Sequence, residues 1–206
     1  MNKKFKFHIL SVVFLLIFSC ASISYADTVY TVVKGDSMWK IAVRYEIGLS
    51  EIISANPQIK NPALIYPGNK LTIPQINDVK AIENEVVRLV NVERSKNGLS
   101  PLTQNWELSR VARYKSQDMI NKNYFSHTSP TYGSPFDMMK NFGIKYSTAG
   151  ENIAYGQRTA AEVMNSWMNS PGHRKNILSP NFTQIGVGLA TKSNGTKYWT
   201  QMFIRP

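Results

Sequence analysis

His173 is one of three histidines in the 206-residue chain, and it follows a Ser-Pro-Gly turn in the segment SWMNSPGHRKNIL. Ser170 and Pro171 suit the N-cap and first positions of a helix, which places His173 in the first helical turn. The positive end of the helix dipole disfavours an imidazolium there, so we expect a neutral ring. A neutral imidazole can ligate a metal ion or accept a proton, and His173 is therefore a candidate functional residue. A structural hydrogen bond is the alternative role for this side chain.

The chain begins with a pattern typical of an export signal. A Lys-rich start is followed by an apolar run from about Ile9 to Phe18 and by the small residues Ser24 and Ala26, spaced for cleavage after Ala26. The run is too short to span a bilayer comfortably. We therefore predict a signal peptide over residues 1–26 and no transmembrane segment in the mature chain. An uncleaved membrane anchor and a lipoprotein attached at Cys20 are the alternatives.

Cleavage at this point would remove Cys20, the only cysteine, together with His8. The mature chain would then have no disulfide bond and no cysteine catalysis. Its net charge would fall from +11 to +8, because 21 Lys and Arg remain against 13 Asp and Glu. A basic exported protein is suited to anionic polymers, unless the charge only aids solubility. No basic run indicates nucleic acid as a partner, and an anionic cell wall or membrane face fits an exported chain better.

Residues 28–74 are predicted to form a small βααβ unit. The ends TVYTVV and KLTIP are β-rich, and the middle carries apolar residues at helical spacing, namely Trp39, Ile41, Ala42 and Tyr45. This spacing places Trp39 in the core. Asp36 and Ser37 occupy the N-cap region of the first helix. Glu51, three residues after a turn glycine, forms a partial capping box that opens the second helix.

The motifs YTVVKGDSMWKIAVRY, LSEIISANPQI and LIYPGNKLTIP resemble a LysM domain over its whole length. The resemblance implies binding to peptidoglycan or another glycan that contains N-acetylglucosamine. The implied groove lies between two loops, formed by Gly35, Asp36, Ser37 and Met38 and by Asn61, Pro62, Ala63, Leu64 and Ile65. Backbone groups of the two turns would bind the acetamido group, and small apolar side chains would contact its methyl. One shallow groove is expected to bind weakly, so retention on a wall needs many sites or the second domain.

Residues 75–80 are predicted to be a linker, and residues 81–206 a second domain of helices followed by strands. Three amphipathic helices are indicated by Ile82, Val86, Leu89 and Val90, then Leu108, Val111, Ala112, Lys115 and Met119, then Val163 and Trp167 after a capping box of Thr159 and Glu162. The segments QIGVGLA and KYWTQMFI alternate like strands joined by an SNG turn. Helices gathered before a closing antiparallel sheet predict an α+β sandwich.

The motifs YFSHTSP, GSPFDMM, GENIAYG, SWMNSPGHRKNIL, FTQIGVGLA and YWTQMF resemble, in order and spacing, those of bacterial CAP (SCP-like) domains. These domains are similar to the plant pathogenesis-related class 1 and animal cysteine-rich secretory proteins. The resemblance implies a three-layer αβα sandwich with a cleft lined by histidines and carboxylates. A LysM module before a CAP domain further resembles the spore coat assembly and cell-wall proteins of endospore-forming bacteria.

The resemblance supplies four cleft candidates, His127, Asp137, Glu151 and His173. Two positions of the eukaryotic tetrad are not matched, because its second acid falls on Ser170 and its second histidine on Phe182. His173 matches the bacterial SPGHR pattern instead, and Asp137 is assigned as the second acid. His127 and Glu151 also have structural alternatives, as a polar loop anchor and as a brace bonded to backbone amides.

If His127, His173 and Glu151 converge, two imidazole nitrogens and a carboxylate form a ligand set suited to zinc. Nothing in their spacing fixes three ligands as a helical HExxH motif does, so zinc or another divalent metal is expected to bind weakly, and no cofactor is required.

Three functions fit these observations. The first is a non-enzymatic protein that LysM anchors to the cell wall or to the spore cortex or coat, while the CAP domain binds a partner protein, lipid or metal. The second is a cell-wall hydrolase or protease acting through the CAP cleft, which lacks a nucleophile motif and an assignable acid pair. The third is a freely diffusing extracellular signal or toxin, which a LysM module disfavours.

Overall fold

The computed structural model describes residues 28–206, and the predicted signal peptide with Cys20 lies outside this range. The first module consists of β1 Thr28–Thr31, α1 Met38–Arg44, α2 Leu49–Ser54 and β2 Lys70–Ile73. β1 pairs antiparallel with β2. The helices pack on this pair through a core of their own, formed by Val32, Met38, Ile41, Ala42, Ile47, Ile52, Leu71 and Ile73. The predicted βααβ unit is confirmed.

Ser37 is the N-cap of α1, and its Oγ accepts a hydrogen bond from the Lys40 N–H at 3.2 Å. Asp36 has a different role from the predicted cap. Its carboxylate accepts hydrogen bonds from the Tyr30 hydroxyl at 2.7 Å and from the Val33 N–H at 3.0 Å. Asp36 therefore braces the loop before α1, and it also forms an ion pair with Arg44 of this helix at 3.3 Å.

The partial capping box predicted at the start of α2 is not formed. Gly48 is the N-cap, and no side chain caps the helix there. The Glu51 carboxylate instead accepts a hydrogen bond from the Ser50 hydroxyl at 2.8 Å.

The second module contains five helices and four strands in the described part of the chain. They are α3 Asn77–Lys96, β3 Thr103–Gln104, α4 Trp106–Asn121, α5 Pro135–Asn141, β4 Thr148–Tyr155, α6 Ala160–Met168, α7 Pro171–Ile177, β5 Gln184–Thr191 and β6 Lys197–Arg205, so that five are helices and four are strands. The strand order is β3-β5-β6-β4, with β3 parallel to β5 and the other pairs antiparallel. α4 and α5 cover one face through one core cluster, and α3, α6 and α7 cover the other through a second. The predicted αβα sandwich is confirmed.

The predicted linker over residues 75–80 is shorter in the structure. α3 begins at Asn77, so four of the six residues are helical. Ile76 packs against the core of the first module, and Val79 packs against that of the second. The two modules are therefore joined by a packed segment and not by an open hinge.

α4 lies directly on the backbone of β5 because two glycines of the QIGVGLA segment face it. A Cβ atom at Gly188 would lie 2.1 Å from the Ala112 carbonyl carbon, and one at Gly186 would lie 2.4 Å from that of Leu108. Real Cβ atoms do not approach backbone this closely. Only glycine at both positions allows this helix–sheet distance.

Beyond its short pairing with β3, β5 has backbone donors that no strand satisfies. The Val187 N–H donates to Ser109 Oγ at 3.1 Å, and the Leu189 N–H donates to Glu83 Oε1 at 3.0 Å. Glu83 also accepts from Arg113 at 2.7 Å. Burial raises the pKa of Glu83 to about 7, although Arg113 and the Leu189 N–H favour its ionised form. Side chains of α3 and α4 therefore replace the missing strand, as buried backbone donors require partners.

Gly188→Ala is expected to destabilise the protein by about 3 kcal/mol or more, because the added methyl must push α4 away from β5. Chemical denaturation measures this change. Gly172→Ala is the matched control, since nothing lies within 4 Å of a Cβ there and a helical glycine gains from alanine by up to about 1 kcal/mol. Equal effects of the two substitutions would show that the helix and strand are not in close contact.

Trp39 is not a core residue, contrary to the prediction from helical spacing. It is 42% exposed, and the guanidinium of Arg110 in α4 lies 5.0 Å from its ring centroid. Arg110 also lies over the rings of Tyr114 and Phe142. This apolar position of α1 therefore contacts the second module and does not belong to the core of its own module.

Trp39→Ala is therefore expected to lower the free energy of unfolding by only about 1 kcal/mol, the size of a partly exposed cation–π contact. Ile41→Ala, at a fully buried position of the same helix, should cost about 2–5 kcal/mol. Thermal and denaturant unfolding of both variants provides the comparison. A loss of unfolding free energy in Trp39→Ala as large as that in Ile41→Ala would show that Trp39 is a core residue.

Candidate functional site

The centre of the candidate site is a hydrogen-bonded pair between a loop residue and a residue of an edge strand. His127 lies in the loop between α4 and α5, and Glu151 lies in β4. His127 Nδ1 is 2.8 Å from Glu151 Oε1. The histidine side chain is 53% exposed, whereas that of Glu151 is only 1% exposed. The carboxylate therefore orients the imidazole and leaves its outer edge open to solvent.

One of the two carboxylate oxygens of Glu151 has no hydrogen-bond partner among the described residues. Burial raises the pKa of its carboxyl group, while His127 and Lys115 oppose this shift. Among residues 28–206, Oε2 of Glu151 is buried without a hydrogen-bond partner. A buried acceptor of this kind is costly unless a ligand or water satisfies it.

A buried polar network holds the loop that carries His127. Lys115 Nζ donates to the His127 carbonyl oxygen at 2.7 Å and to the Tyr124 hydroxyl at 3.2 Å. The Tyr124 hydroxyl donates to Asp118 at 2.7 Å, and hydroxyls of Ser129 and Thr131 donate to the same carboxylate. Burial lowers the pKa of Lys115, although the charges of Glu151 and Asp118 act against this shift.

The sequence analysis did not assign Lys115 and Asp118 to the site. The sequence does contain one indication, because Lys115 is a charged residue at a position of α4 where the apolar spacing predicts a core residue. Lys115 has no exposed surface, and Asp118 is buried as well. Their role became visible only when the partners of the amine were known.

His173 lies in the first turn of α7, as predicted, but its surroundings differ from those expected. Ser170 occupies the N-cap position without a side-chain hydrogen bond. The pKa of His173 is lowered by burial and, second, by the charge of His127. The expected preference for a neutral ring is thus supported, with burial as its main cause.

A set of amide side chains joins α7 to β4. Asn152 Nδ2 donates to the His173 carbonyl oxygen and to Gln201, each at 3.1 Å. Asn176 Nδ2 donates to Asn152 Oδ1 at 2.8 Å and to the Glu151 carbonyl oxygen at 3.1 Å. These bonds fix His173 and Glu151 relative to each other through their backbones.

Asp137 has a structural role in place of the predicted second acid. Its carboxylate accepts hydrogen bonds from the N–H and hydroxyl of Ser134, which completes a capping box at the start of α5. These hydrogen bonds lower the pKa of Asp137. None of its hydrogen bonds reaches His127 or Glu151.

The predicted zinc ligand set is not assembled in this structure. Within residues 28–206, no three His, Cys, Asp or Glu side chains are grouped so that they could hold a metal ion. His127 and Glu151 are in contact, but the hydrogen bond between them occupies Nδ1 of the imidazole. Weak divalent-metal binding remains a prediction.

The two loops predicted to bind glycan are stabilised by local hydrogen bonds. Lys40 Nζ donates to the Gly35 carbonyl oxygen at 2.8 Å, and Gly35 has a φ of 92°, which favours glycine. The Asn61 side chain accepts from the Ala63 N–H at 3.1 Å. Leu64 is 56% exposed at the tip of the second loop.

Three of the nine predicted glycan-binding side chains face inward. Met38 is 3% exposed and belongs to the core of the first module, and Ile65 packs against that core. The Asp36 side chain is 4% exposed. These residues shape the loops and could offer a ligand little more than backbone. The remaining predicted residues are Gly35, Ser37, Asn61, Pro62, Ala63 and Leu64.

Comparison with known proteins establishes the family. The model of the cysteine-rich secretory protein family (CAP) matches residues 87–203, which is more than half of the chain. The chain therefore belongs to this family. The LysM domain model matches residues 30–74.

Similar proteins occur in Bacillus. The uncharacterized protein YkwD of Bacillus subtilis (strain 168) is 58% identical over 149 residues, which are 72% of this chain and 56% of YkwD. SpoIVD-associated factor A of the same organism is 46% identical over 46 residues, 22% of this chain and 12% of that protein. The chain thus spans about half the length of YkwD and a much smaller share of SpoIVD-associated factor A.

A solved structure supports the same fold. The crystal structure of an extracellular protein containing an SCP domain from Bacillus anthracis str. Ames matches with a TM-score of 0.57 and 37% sequence identity. The match covers 68% of this chain and 47% of that chain.

We expect the pKa of His173 to rise toward its ordinary value in His127→Gln, because the variant removes a positive charge that disfavours the imidazolium. NMR titration of the His173 ring protons measures this shift. Asp137→Asn is the control and should leave the pKa unchanged, since the Asp137 carboxylate is bound to Ser134. An unchanged His173 pKa in His127→Gln would show that the two rings do not share a site.

Proposed function

We propose that the protein is exported and binds peptidoglycan without catalysing a reaction. The LysM module would bind the glycan, and the CAP domain would bind a partner protein, lipid or metal. The observation that carries this proposal is the LysM match over residues 30–74, whose two predicted binding loops are exposed at Gly35, Ser37, Asn61, Ala63 and Leu64.

A location in the cell wall or the spore envelope is consistent with the properties of the chain. Without the predicted signal peptide the net charge is +8, from 21 Lys and Arg against 13 Asp and Glu, and it suits an anionic wall. In residues 28–206, no helix is both long and apolar enough to cross a membrane. Two relatives, each matched over 46 residues, are called SpoIVD-associated factor A and spore coat assembly protein ExsA. The second name supports the spore coat as one site of action.

A binding role explains the CAP cleft better than hydrolysis. The Glu151-oriented imidazole of His127 could act as a base, but hydrolysis also requires a nucleophile, a metal-bound water or a second acid. Residues 28–206 contain no cysteine, and Asp137 serves in a capping box. Through the described residues, the ring of His127 has a hydrogen bond to Glu151 and to no serine.

The test is a sedimentation assay on purified peptidoglycan with the whole protein. Ala63→Trp places a bulky ring in the loop that the proposal assigns to the glycan, and the bound fraction is expected to fall about tenfold or more. Ala161→Trp, at an exposed alanine of α6 in the other module, is the control and should bind normally.

The supernatant of the same assay is analysed for soluble muropeptides. Normal binding by Ala63→Trp would show that the LysM loops do not bind the glycan, which contradicts the proposal. Release of muropeptides by the wild type, lost in Glu151→Gln, would replace the binding role with the hydrolase alternative.

A further inference from the structure

Three aromatic side chains form a cluster on the CAP domain, and two of them are exposed. The ring centroids of Phe125 and Tyr155 are 4.7 Å apart, and those of Tyr155 and Tyr198 are 5.5 Å apart and stacked. Phe125 is 46% exposed and Tyr155 is 51% exposed. We call these three residues the aromatic cluster. Large aromatic side chains held together in water indicate a binding surface more strongly than scattered ones do.

The aromatic cluster continues directly into the His127–Glu151 pair. Tyr155 and Glu151 lie on the same face of β4, because residues four apart in a strand point the same way, about 13 Å apart along the strand. Phe125 and His127 are two residues apart in the loop that contacts this strand. Their Cα atoms are therefore at most about 7 Å apart. Each loop residue contacts one strand residue, so that Phe125 meets Tyr155 and His127 meets Glu151.

The strand register fixes this arrangement. Tyr155 lies opposite Tyr198 and Glu151 opposite Met202 in the β4–β6 pairing. β4 is an edge strand of the sheet, so its far side is not covered by another strand. The result is an open strip with aromatic rings at one end and hydrogen-bonding groups at the other.

The chemistry of this strip matches a sugar ring. The C–H groups on one face of a pyranose carry partial positive charge and pack against the negative faces of aromatic rings. Its hydroxyl groups both donate and accept hydrogen bonds. The imidazole of His127, which is 53% exposed and held by Glu151, offers them a polar contact. An apolar ligand would cover this polar edge without giving it a hydrogen-bond partner, at a cost that a hydroxyl group avoids.

We propose that the aromatic cluster and the His127–Glu151 pair form a second glycan-binding surface, which packs one pyranose ring of a glycan chain against Phe125 and Tyr155 and bonds hydroxyls of a neighbouring sugar at the exposed edge of His127. The ligand is a glycan chain of the N-acetylglucosamine type. The choice of this glycan rests on the proposed function, whereas the surface itself rests on the CAP geometry. Two linked glycan sites would hold a wall polymer more tightly than one shallow groove.

The experiment is an NMR titration of the isotope-labelled protein with the soluble hexamer of N-acetylglucosamine. Backbone amide shifts report each surface separately. We expect shift changes at residues 125–127, 151 and 155. The dissociation constant is expected to be about tenfold larger in Tyr155→Ala and in Phe125→Ala. Phe136→Ala removes another exposed aromatic side chain of the same domain and should leave these shifts and the affinity unchanged.

The pattern of shifts distinguishes this inference from the proposed function. Changes at residues 125–127 and 155 support it, whether or not residues 35–38 and 61–65 also respond. Changes confined to residues 35–38 and 61–65 would overturn it and leave the LysM proposal intact. No change at either surface would overturn both. A parallel titration with a peptidoglycan stem peptide that shifts residues 125–127 and 155, when the hexamer does not, would assign the cluster to peptide and overturn the glycan proposal.

If Tyr155→Ala loses its fold, the loop variant Phe125→Ala still provides the test. Amide spectra of each variant without ligand report folding directly. An unchanged affinity in folded Phe125→Ala, measured from the shifts at residues 127 and 151, would exclude stacking on this ring and overturn the proposal.

Discussion

The close approach of α4 to β5 determines the geometry of the CAP domain. Gly186 and Gly188 leave no side chain between the helix and the strand, so the helix backbone rests on the strand backbone. At this distance the Ser116 hydroxyl donates to the Gly188 carbonyl oxygen at 2.9 Å. The register of α4 on the sheet is thereby set by both sterics and a buried hydrogen bond. This contact therefore also determines the position of the α4 side chains that bond the loop of the candidate site.

The candidate site is one step further along the same helix. Lys115, next to Ser116, bonds the carbonyl oxygen of His127, and Asp118 collects three hydroxyl donors from the following loop. The loop in turn places His127 on Glu151 and Phe125 on Tyr155. Because interiors are closely packed, a shift of α4 would move all of these groups together. The site therefore depends on packing that lies well beneath it.

The domain reaches this order without disulfide bonds, since residues 28–206 contain no cysteine although the family is named for them. Buried polar side chains supply the long-range ties instead. Arg94 of α3 donates to the carbonyl oxygens of Ser100, Ile177 and Ser179 and so connects α3 to the end of α7. Glu83 and Arg113 cover the open edge of β5. The guanidinium of Arg110 then links the two modules by lying over Trp39.

The sequence by itself determined the two modules and most of their elements, because hydrophobic period, turn residues and family motifs are local properties. It also assigned His127, Glu151 and His173 as candidates through those motifs, and the first two are in contact in the structure. Tertiary structure alone decided the roles of Trp39, Asp137 and Lys115. An apolar stripe does not reveal which partner covers it, a carboxylate three residues after a serine fits a cap as well as a cleft, and a lysine among core positions gains meaning only from its distant acceptors. The aromatic cluster was invisible for the same reason, since the strand pairing of Tyr155 with Tyr198 and the loop contact of Phe125 join residues far apart in the chain.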